Sequence, residues 1–294
     1  MRLKIYTLFQ PVQANGRVPS NKYVEITPSP KLAPYVSCYW FSEPVIGYRE
    51  PDSFETFKAL REESVDRVLP DGCSDIIFEH DLKENKYRTL FSGVFDEPFT
   101  ISYDRNHPMR KFGVRFFPGG IHSLLGIPQQ DFAKSHFDLD LVWTGMTKEI
   151  EDRLFEEPLI ERKVRVMEDF LVSFMSTNTI ADDHLINKLL YHIFVTEGKT
   201  SVKELAKREA ISTRQMNRIF YRWIGISPKR FCEVVRFQSI VKDIQRSPSI
   251  VRCLAYKHGF FDQAHMMRDF KRFYGDSLSV AVREFGNMSD FYNT

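Results

Sequence analysis

The sequence predicts an α+β chain of two domains: an N-terminal, mostly antiparallel β barrel or sandwich, a helical connector, and a C-terminal all-α domain of two tandem helix-turn-helix units. Three observations predict it. Residues 1–140 alternate short Val-, Ile-, Phe- and Tyr-rich runs with Pro/Gly turns, the 3.6-residue apolar period takes over after about residue 160, and residues 200–275 carry one helix–turn–helix pattern twice. Charge divides along the same line. From residue 199 onward 18 Lys and Arg face 9 Asp and Glu, a net of +9, while residues 1–198 have 23 against 30, a net of −7. The overall +2 therefore conceals an acidic half and a basic half, and only the basic half is suited to neutralising phosphates.

The expected strands are YVSCYWF, SDIIFE, TLFSGVF, FTISY and KFGVRFF. Pro28-Ser29-Pro30, Pro70-Asp71-Gly72, Asp96-Glu97-Pro98 and Pro118-Gly119-Gly120 separate them as turns. A connector at 141–180 follows, in which Val164, Met167, Phe170, Leu171 and Phe174 form a helix stripe. That stripe suits either a homodimer contact or packing within one chain. A helix from about Asp183 to Val195, with Leu185, Leu189, Leu190 and Ile193 inward, opens the third region, 181–294.

In the first unit Val202, Leu205 and Ala206 form one apolar stripe, and Ser212 then restarts the pattern as an N-cap. Gln215 stands at the spacing of a capping box. Met216, Ile219, Phe220 and Trp223 fall on the buried side of the second helix, turning Arg214, Asn217, Arg218, Tyr221 and Arg222 outward, before Gly225 stops it. The segment SPKRFCEVVRFQSIVKDIQRS begins with Pro at a helix start and reads as one long connecting helix through Phe231, Val234, Val235, Val241 and Ile244. In the second unit Ile250, Val251, Leu254 and Ala255 form the first stripe, Gly259 the turn and Asp262 the cap. Met266, Phe270 and Phe273 are its buried positions, with Gln263, His265, Met267, Arg268 and Lys271 around the other faces.

The strings ISTRQMNRIF, GISPKRF with Arg236 beyond it, and LAYKHGFFDQAHMMRDFKRFYG make residues 184–285 resemble the DNA-binding domain of the AraC/XylS family of bacterial transcription regulators. Met266 stands where that family usually has Phe or another large apolar residue, and Leu278 where Pro commonly follows the turn. The resemblance implies a sequence-specific regulator, without catalysis or cofactor, that binds double-stranded DNA and has RNA polymerase as a possible partner. Carried over position by position, it assigns Arg214, Asn217, Arg218, Gln263, His265 and Arg268 to base edges. Thr213, Lys229, Arg230, Arg236 and Lys271 fall to phosphates. The chemistry agrees, since Arg donates bidentately to guanine while Asn and Gln pair with adenine. One rigid connecting helix would set the two recognition helices in successive major grooves, about 34 Å apart.

LAPYVSCYWF, RVLPDGCSDIIFE and FGVRFFPGG are similar to a β-rich domain of unknown function found upstream of this DNA-binding domain in some regulators. That implies a regulatory module for an unknown effector or protein signal. Trp40, Asp71, Tyr103 and Arg115 are its candidate ligand-binding residues. The plainer reading puts Trp40, Phe41, Tyr103, Phe116 and Phe117 in a core, and Arg115 on a solvent-facing strand position. Asp75 stands with Asp71 behind Arg115 in this reading.

Two other function classes are open: a protein-controlled DNA-binding adaptor, and a metal-dependent enzyme of cupin type. The second needs several imidazoles or carboxylates converging on one cation, whereas His80, His107, His122 and His136 are isolated in sequence, so no metal site is expected. Cys38, Cys73, Cys232 and Cys253 lack CxxC spacing and suit a reducing cytoplasm. Cys38 and Cys73 are expected to be buried apolar groups, with redox sensing the alternative. Neither a secretion h-region nor a run of eighteen apolar residues occurs, so a cytoplasmic location without membrane insertion is expected.

Overall fold

Alternation along the strands decides the architecture. The computed structural model describes residues 4–16, 18–47, 65–104, 106–146, 148–177, 184–246 and 254–288. Six strands pair antiparallel in the order β1-β2-β7-β4-β5-β8. They are β1 Asn21–Ile26, β2 Val36–Pro44, β4 Ser74–Asp81, β5 Lys86–Ser92, β7 Met109–Phe116 and β8 His136–Asp138. β3 Val65–Val68 and β6 Phe99–Ser102 form a separate two-stranded sheet. The larger sheet is open, so of the arrangements expected from sequence the closed barrel is not formed.

Register places Tyr39 opposite Val114 and Phe41 opposite Phe112, with Ile76 and Phe78 paired to the same two residues from the other side. These side chains share one face because successive strand residues point to opposite sides. Helix α1, Gly120–Leu125, brings Ile121 and Leu124 onto that face. After the short α2, Leu139–Val142, Leu154 comes from α3, Lys148–Glu156, and Val164, Met167 and Leu171 from α4, Ile160–Thr177. Met167 and Leu171 are each only 1% exposed. Of the two readings of this stripe, packing within one chain is the one found, on the chain's own sheet, with Phe170 and Phe174 flanking Trp143 at its margin. The sequence showed the stripe but not the sheet face waiting for it.

The opposite sheet face is polar yet covered. Cys38, Trp40, Asp75, Gly113 and Arg115 lie there by the same alternation. Arg115, expected to face solvent on the plainer reading, is 5% exposed. Its Nε donates to Asp75 Oδ1 at 3.2 Å, and Trp40 Nε1 donates to the same oxygen at 3.0 Å. Asp71 Oδ2 lies 3.9 Å from the guanidinium and accepts from Gln13 Nε2 at 2.7 Å. Gln13 thereby carries the N-terminal segment across this face. Trp40, Asp71 and Arg115 come together as one charged cluster, whereas Tyr103 is elsewhere, donating to Asp66 Oδ2 at 2.7 Å beside the β3–β6 sheet. Phe41, Phe116 and Phe117 are core residues.

Burial pushes the Asp75 carboxyl up, and the Arg115 guanidinium pulls it partly back. Burial also raises the Cys38 and Cys73 thiols well above their ordinary range, which leaves both as protonated, apolar groups rather than reactive thiolates. Cys232 is likewise pushed up to about 12 by burial. Cys253 lies outside the described residues. Gly113 is required by the indole packed over it, because a Cβ there would sit 2.0 Å from Trp40 Cε2. Gly113→Ala should cost about 1–3 kcal/mol through this overlap, read as a lower urea midpoint at unchanged slope.

A second apolar cluster joins the two halves of the chain. Helix α5, His184–Val195, contributes Leu189, Leu190, Ile193 and Phe194, and the later helices contribute Phe220, Phe231, Val235 and Phe270. Ile5, Phe9, Ala14, Leu69, Val94 and Phe117 enter the same cluster from the N-terminal side. Phe9 stacks on Phe194 at 4.6 Å between centroids, with Phe117 edge-on at 5.7 Å. The C-terminal helices therefore share their core with the β domain. Asp183, expected as the start of α5, lies outside the described residues.

Candidate nucleic-acid interface

The first unit consists of α6, Val202–Arg208, and α7, Thr213–Ile224. Ser201 and Glu204 form a complete capping box at the start of α6, because the Glu204 carboxylate reaches back to the Ser201 N–H at 2.9 Å. At Ser212 one half of such a box is present, the Gln215 N–H donating to Ser212 Oγ at 3.1 Å. That bond suffices to start α7. Met216 and Phe220 are fully buried, and α7 ends at Gly225, whose φ of 89° is a left-handed value that favours glycine. Thr213, Arg214, Arg218, Tyr221 and Arg222 are exposed, with Asn217 half-buried beside them.

The connecting helix α8, Pro228–Arg246, has 19 residues and spans about 28 Å. The second unit follows as α9, Leu254–Lys257, and α10, Gln263–Tyr274, packed by α11, Leu278–Met288. Ile250 and Val251, expected in the first helix of this unit, lie outside the described residues. Asp262 caps α10 by accepting from the His265 N–H at 2.6 Å. Met266, Phe270 and Phe273 are buried as their period requires, leaving Gln263, Met267, Arg268 and Lys271 exposed. His265 is turned edge-on to Phe260 at 5.3 Å, its Nε2 3.7 Å from Asp269.

The basic residues fall into two classes. Among the described residues, Arg214, Arg218, Arg222, Lys229, Arg268 and Lys271 have no carboxylate within ion-pair distance. Arg230 and Arg236, expected on phosphates, are placed differently. The Arg236 guanidinium lies 4.4 Å from the Phe260 ring centre and 3.7 Å from Asp269, tying α8 to the second unit. Arg230 crosses to the β domain, where its Nε donates to Asp96 Oδ2 at 2.9 Å and its Nη2 to the Asp96 carbonyl at 2.7 Å. Sequence position could not show this, because Asp96 is 134 residues away.

The two turns differ by one residue. Ile211 N donates to Ala206 O in the first unit, as Phe260 N does to Ala255 O in the second, which aligns Ala210 with Gly259. The cap Ser212 follows Ile211 directly, whereas Phe261 intervenes before Asp262 and is 95% exposed. Sequence periodicity missed this residue. Its signal was the doublet Phe260-Phe261, of which only one member can be buried.

Both recognition helices meet the N-terminal domain at their C-terminal ends. Two contacts lie there: the Trp223 ring is edge-on to His122 at 4.4 Å, and Arg67 Nη1 donates to Tyr274 O at 3.1 Å. Between them the buried Gln238 side chain accepts from Val12 N at 2.7 Å and donates to Pro70 O at 2.8 Å. The second unit is further held by His258, 0% exposed, with Nε2 2.7 Å from Asp243 Oδ2. Burial lowers this imidazole's pKa despite the carboxylate. His80, His107, His122 and His136 occupy separate places, and among the described residues no group of three or more His, Cys, Asp or Glu is arranged to hold a metal ion. Among the same residues no helix is long and apolar enough to cross a membrane.

Comparison with known proteins follows the same division. Residues 205–284 match a family described as a helix-turn-helix domain, and residues 24–138 a domain of unknown function, DUF6597. An uncharacterised helix-turn-helix transcriptional regulator of Haemophilus influenzae is 27% identical over 128 residues, covering 44% of this chain. The match spans 43% of that relative's length. Among solved structures, ToxT from Vibrio cholerae has a TM-score of 0.41 at 11% identity, over 72% of this chain and 90% of its own. A ToxT form described as bound to unsaturated fatty acid gives 0.40 at 10% identity, over 74% and 88%. The chain thus carries an AraC-type helix-turn-helix domain in its C-terminal half and, ahead of it, a DUF6597 domain.

Proposed function

We propose that this chain is a cytoplasmic, sequence-specific regulator of transcription that reads double-stranded DNA with α7 and α10, under control of the N-terminal domain. The observation that carries the reading is the set of cations on the capped helices α7 and α10, with Lys229 on the first turn of α8, that have no carboxylate within ion-pair distance among the described residues. An exposed cation that serves stability alone gains from a neighbouring carboxylate, and six here have none among the described residues. Arg214, Asn217, Arg218, Gln263, His265 and Arg268 are assigned to base edges, and Thr213, Lys229 and Lys271 to phosphates. Arg230 is withdrawn from the phosphate set while it holds Asp96.

The test uses the full chain, because a fragment from residue 180 would expose Phe194 and Phe231, which share a core with Phe9 and Phe117. Binding to a random-sequence duplex should weaken with salt, with a logarithmic slope of about −5 if six phosphates are neutralised. No binding at low salt would overturn the reading.

Phe261, exposed just before the N-terminus of α10, is placed to meet a thymine methyl in the groove, since the first residues of a recognition helix approach the bases. In a site selected from random sequence, replacing one thymine by deoxyuridine should weaken the wild type and leave Phe261→Ala unaffected. Equal loss in both proteins at every thymine would remove Phe261 from the reading set.

A further inference from the structure

A polar cleft of about 230 Å³ lies between the N-terminal segment, β1 and α8. It is below the roughly 300–1,000 Å³ of pockets that hold drug-sized ligands, so its occupant is small. Gln10, Asn15 and Glu25 line it from the N-terminal side, and Lys242 and Gln245 from α8.

The two walls want opposite groups. On the N-terminal wall Asn15 is 8% exposed and its Oδ1 has no hydrogen-bond partner among the described residues, leaving a desolvated acceptor open to a donor. Glu25 beside it accepts the Tyr23 hydroxyl at 2.7 Å and lies 3.6 Å from Arg115. That guanidinium is already shared with Asp71 and Asp75 at 3.9 and 3.2 Å, so three carboxylates draw on one cation. Acceptors and negative charge are in excess on this side. Across the cleft Lys242 is half-buried and has no carboxylate within ion-pair distance among the described residues. Asp243 and Glu197 act on it only from beyond ion-pair distance, so its ammonium can accept a closer anion.

We infer that this cleft binds a small zwitterion, an α-amino acid or a compound of that size, with its ammonium group on Glu25 and Asn15 and its carboxylate on Lys242. A simple amine would meet the uncompensated lysine and a simple carboxylate the acidic wall, so both charges are needed in one molecule. Because Lys242 belongs to the helix that joins the two DNA-reading units, an occupant would touch both domains at once. Its binding would favour whichever domain arrangement brings the walls to the right separation. That regulatory consequence rests on the proposed DNA-binding function, whereas the site itself does not.

The experiment is calorimetric titration of the full chain, without DNA, by each proteinogenic L-amino acid up to about 1 mM, with glucose, acetate and methylamine as controls. Saturable binding of at least one amino acid is expected, with none of the controls matching it. Glu25→Gln and Lys242→Gln should each weaken that binding by about tenfold or more while keeping the unliganded melting temperature. Absence of binding by every amino acid, equal binding of a control, or full affinity in both variants would overturn the proposal. A variant that melts early is replaced by Gln245→Ala, which alters the same wall at an exposed position and should weaken binding at least about threefold; unchanged affinity there also counts against the site. Since DNA is absent from the assay, failure would leave the DNA-binding reading untouched.

Discussion

Arg218→Ala and Arg268→Ala should each weaken binding to a selected operator by about 1–3 kcal/mol, a five- to 150-fold loss, and relax preference at one or two base pairs. The two residues lie on different recognition helices separated by α8, so their effects should add in the double variant. Lys271→Ala should instead weaken all sequences alike and reduce the salt slope by about one unit. The contrast follows from what each group offers. A guanidinium fork fits the two acceptors of a guanine, while a lysine ammonium is a point charge that any phosphate satisfies. Fluorescence anisotropy on selected and scrambled duplexes over a salt series separates the two behaviours. If the Arg variants lost affinity equally for both duplexes, their assignment to bases would be wrong.

The C-terminal half was legible because its determinants are local. Caps at Ser212 and Asp262, the stop at Gly225, and the buried periods of α7 and α10 depend on residues within one or two turns. The N-terminal half showed its strands but not their coverings. Arg115 reads as a surface residue by alternation, and alternation is right that it faces away from the aromatic core. What covers that second face is Gln13, 58 residues from the Asp71 it bonds, and nothing in either local sequence announces the other. The stripe in α4 left two readings open for the same reason, since an apolar helix face states that it must be covered and not by what. The partners that Arg230 and Arg236 have in the chain without DNA were hidden for a related reason. Family position gives the direction of a side chain on its own helix, whereas Asp96 and the Phe260 ring arrive from other elements.

The second large effect is expected at the junction between Arg230 and Asp96. Asp96 is 7% exposed, and although burial opposes its charge, Lys134 and Arg230 together hold its carboxyl below the usual carboxylate range. Its pairing therefore stabilises the fold above the unfolded-state pKa near 4, and is lost as pH falls through the lowered folded value. Arg230→Ala should cost up to about 3–5 kcal/mol at neutral pH, because it strands a largely buried carboxylate with Lys134 alone. Asp96→Asn should act oppositely on function. The guanidinium would lose one of its three carboxylates while keeping Glu97 at 3.8 Å, Glu233 at 3.4 Å and its place over Phe273, so it remains folded against α8 but, held less firmly to the β domain, can turn toward a phosphate. Binding to random DNA should then tighten severalfold and its salt slope steepen by about one unit. If Asp96→Asn left both quantities unchanged while lowering the melting temperature, the contact would be a brace between domains and not a competitor of DNA. The Arg230→Ala, Asp96→Asn double variant decides between them, because a competitor's gain in affinity requires Arg230 and must vanish with it.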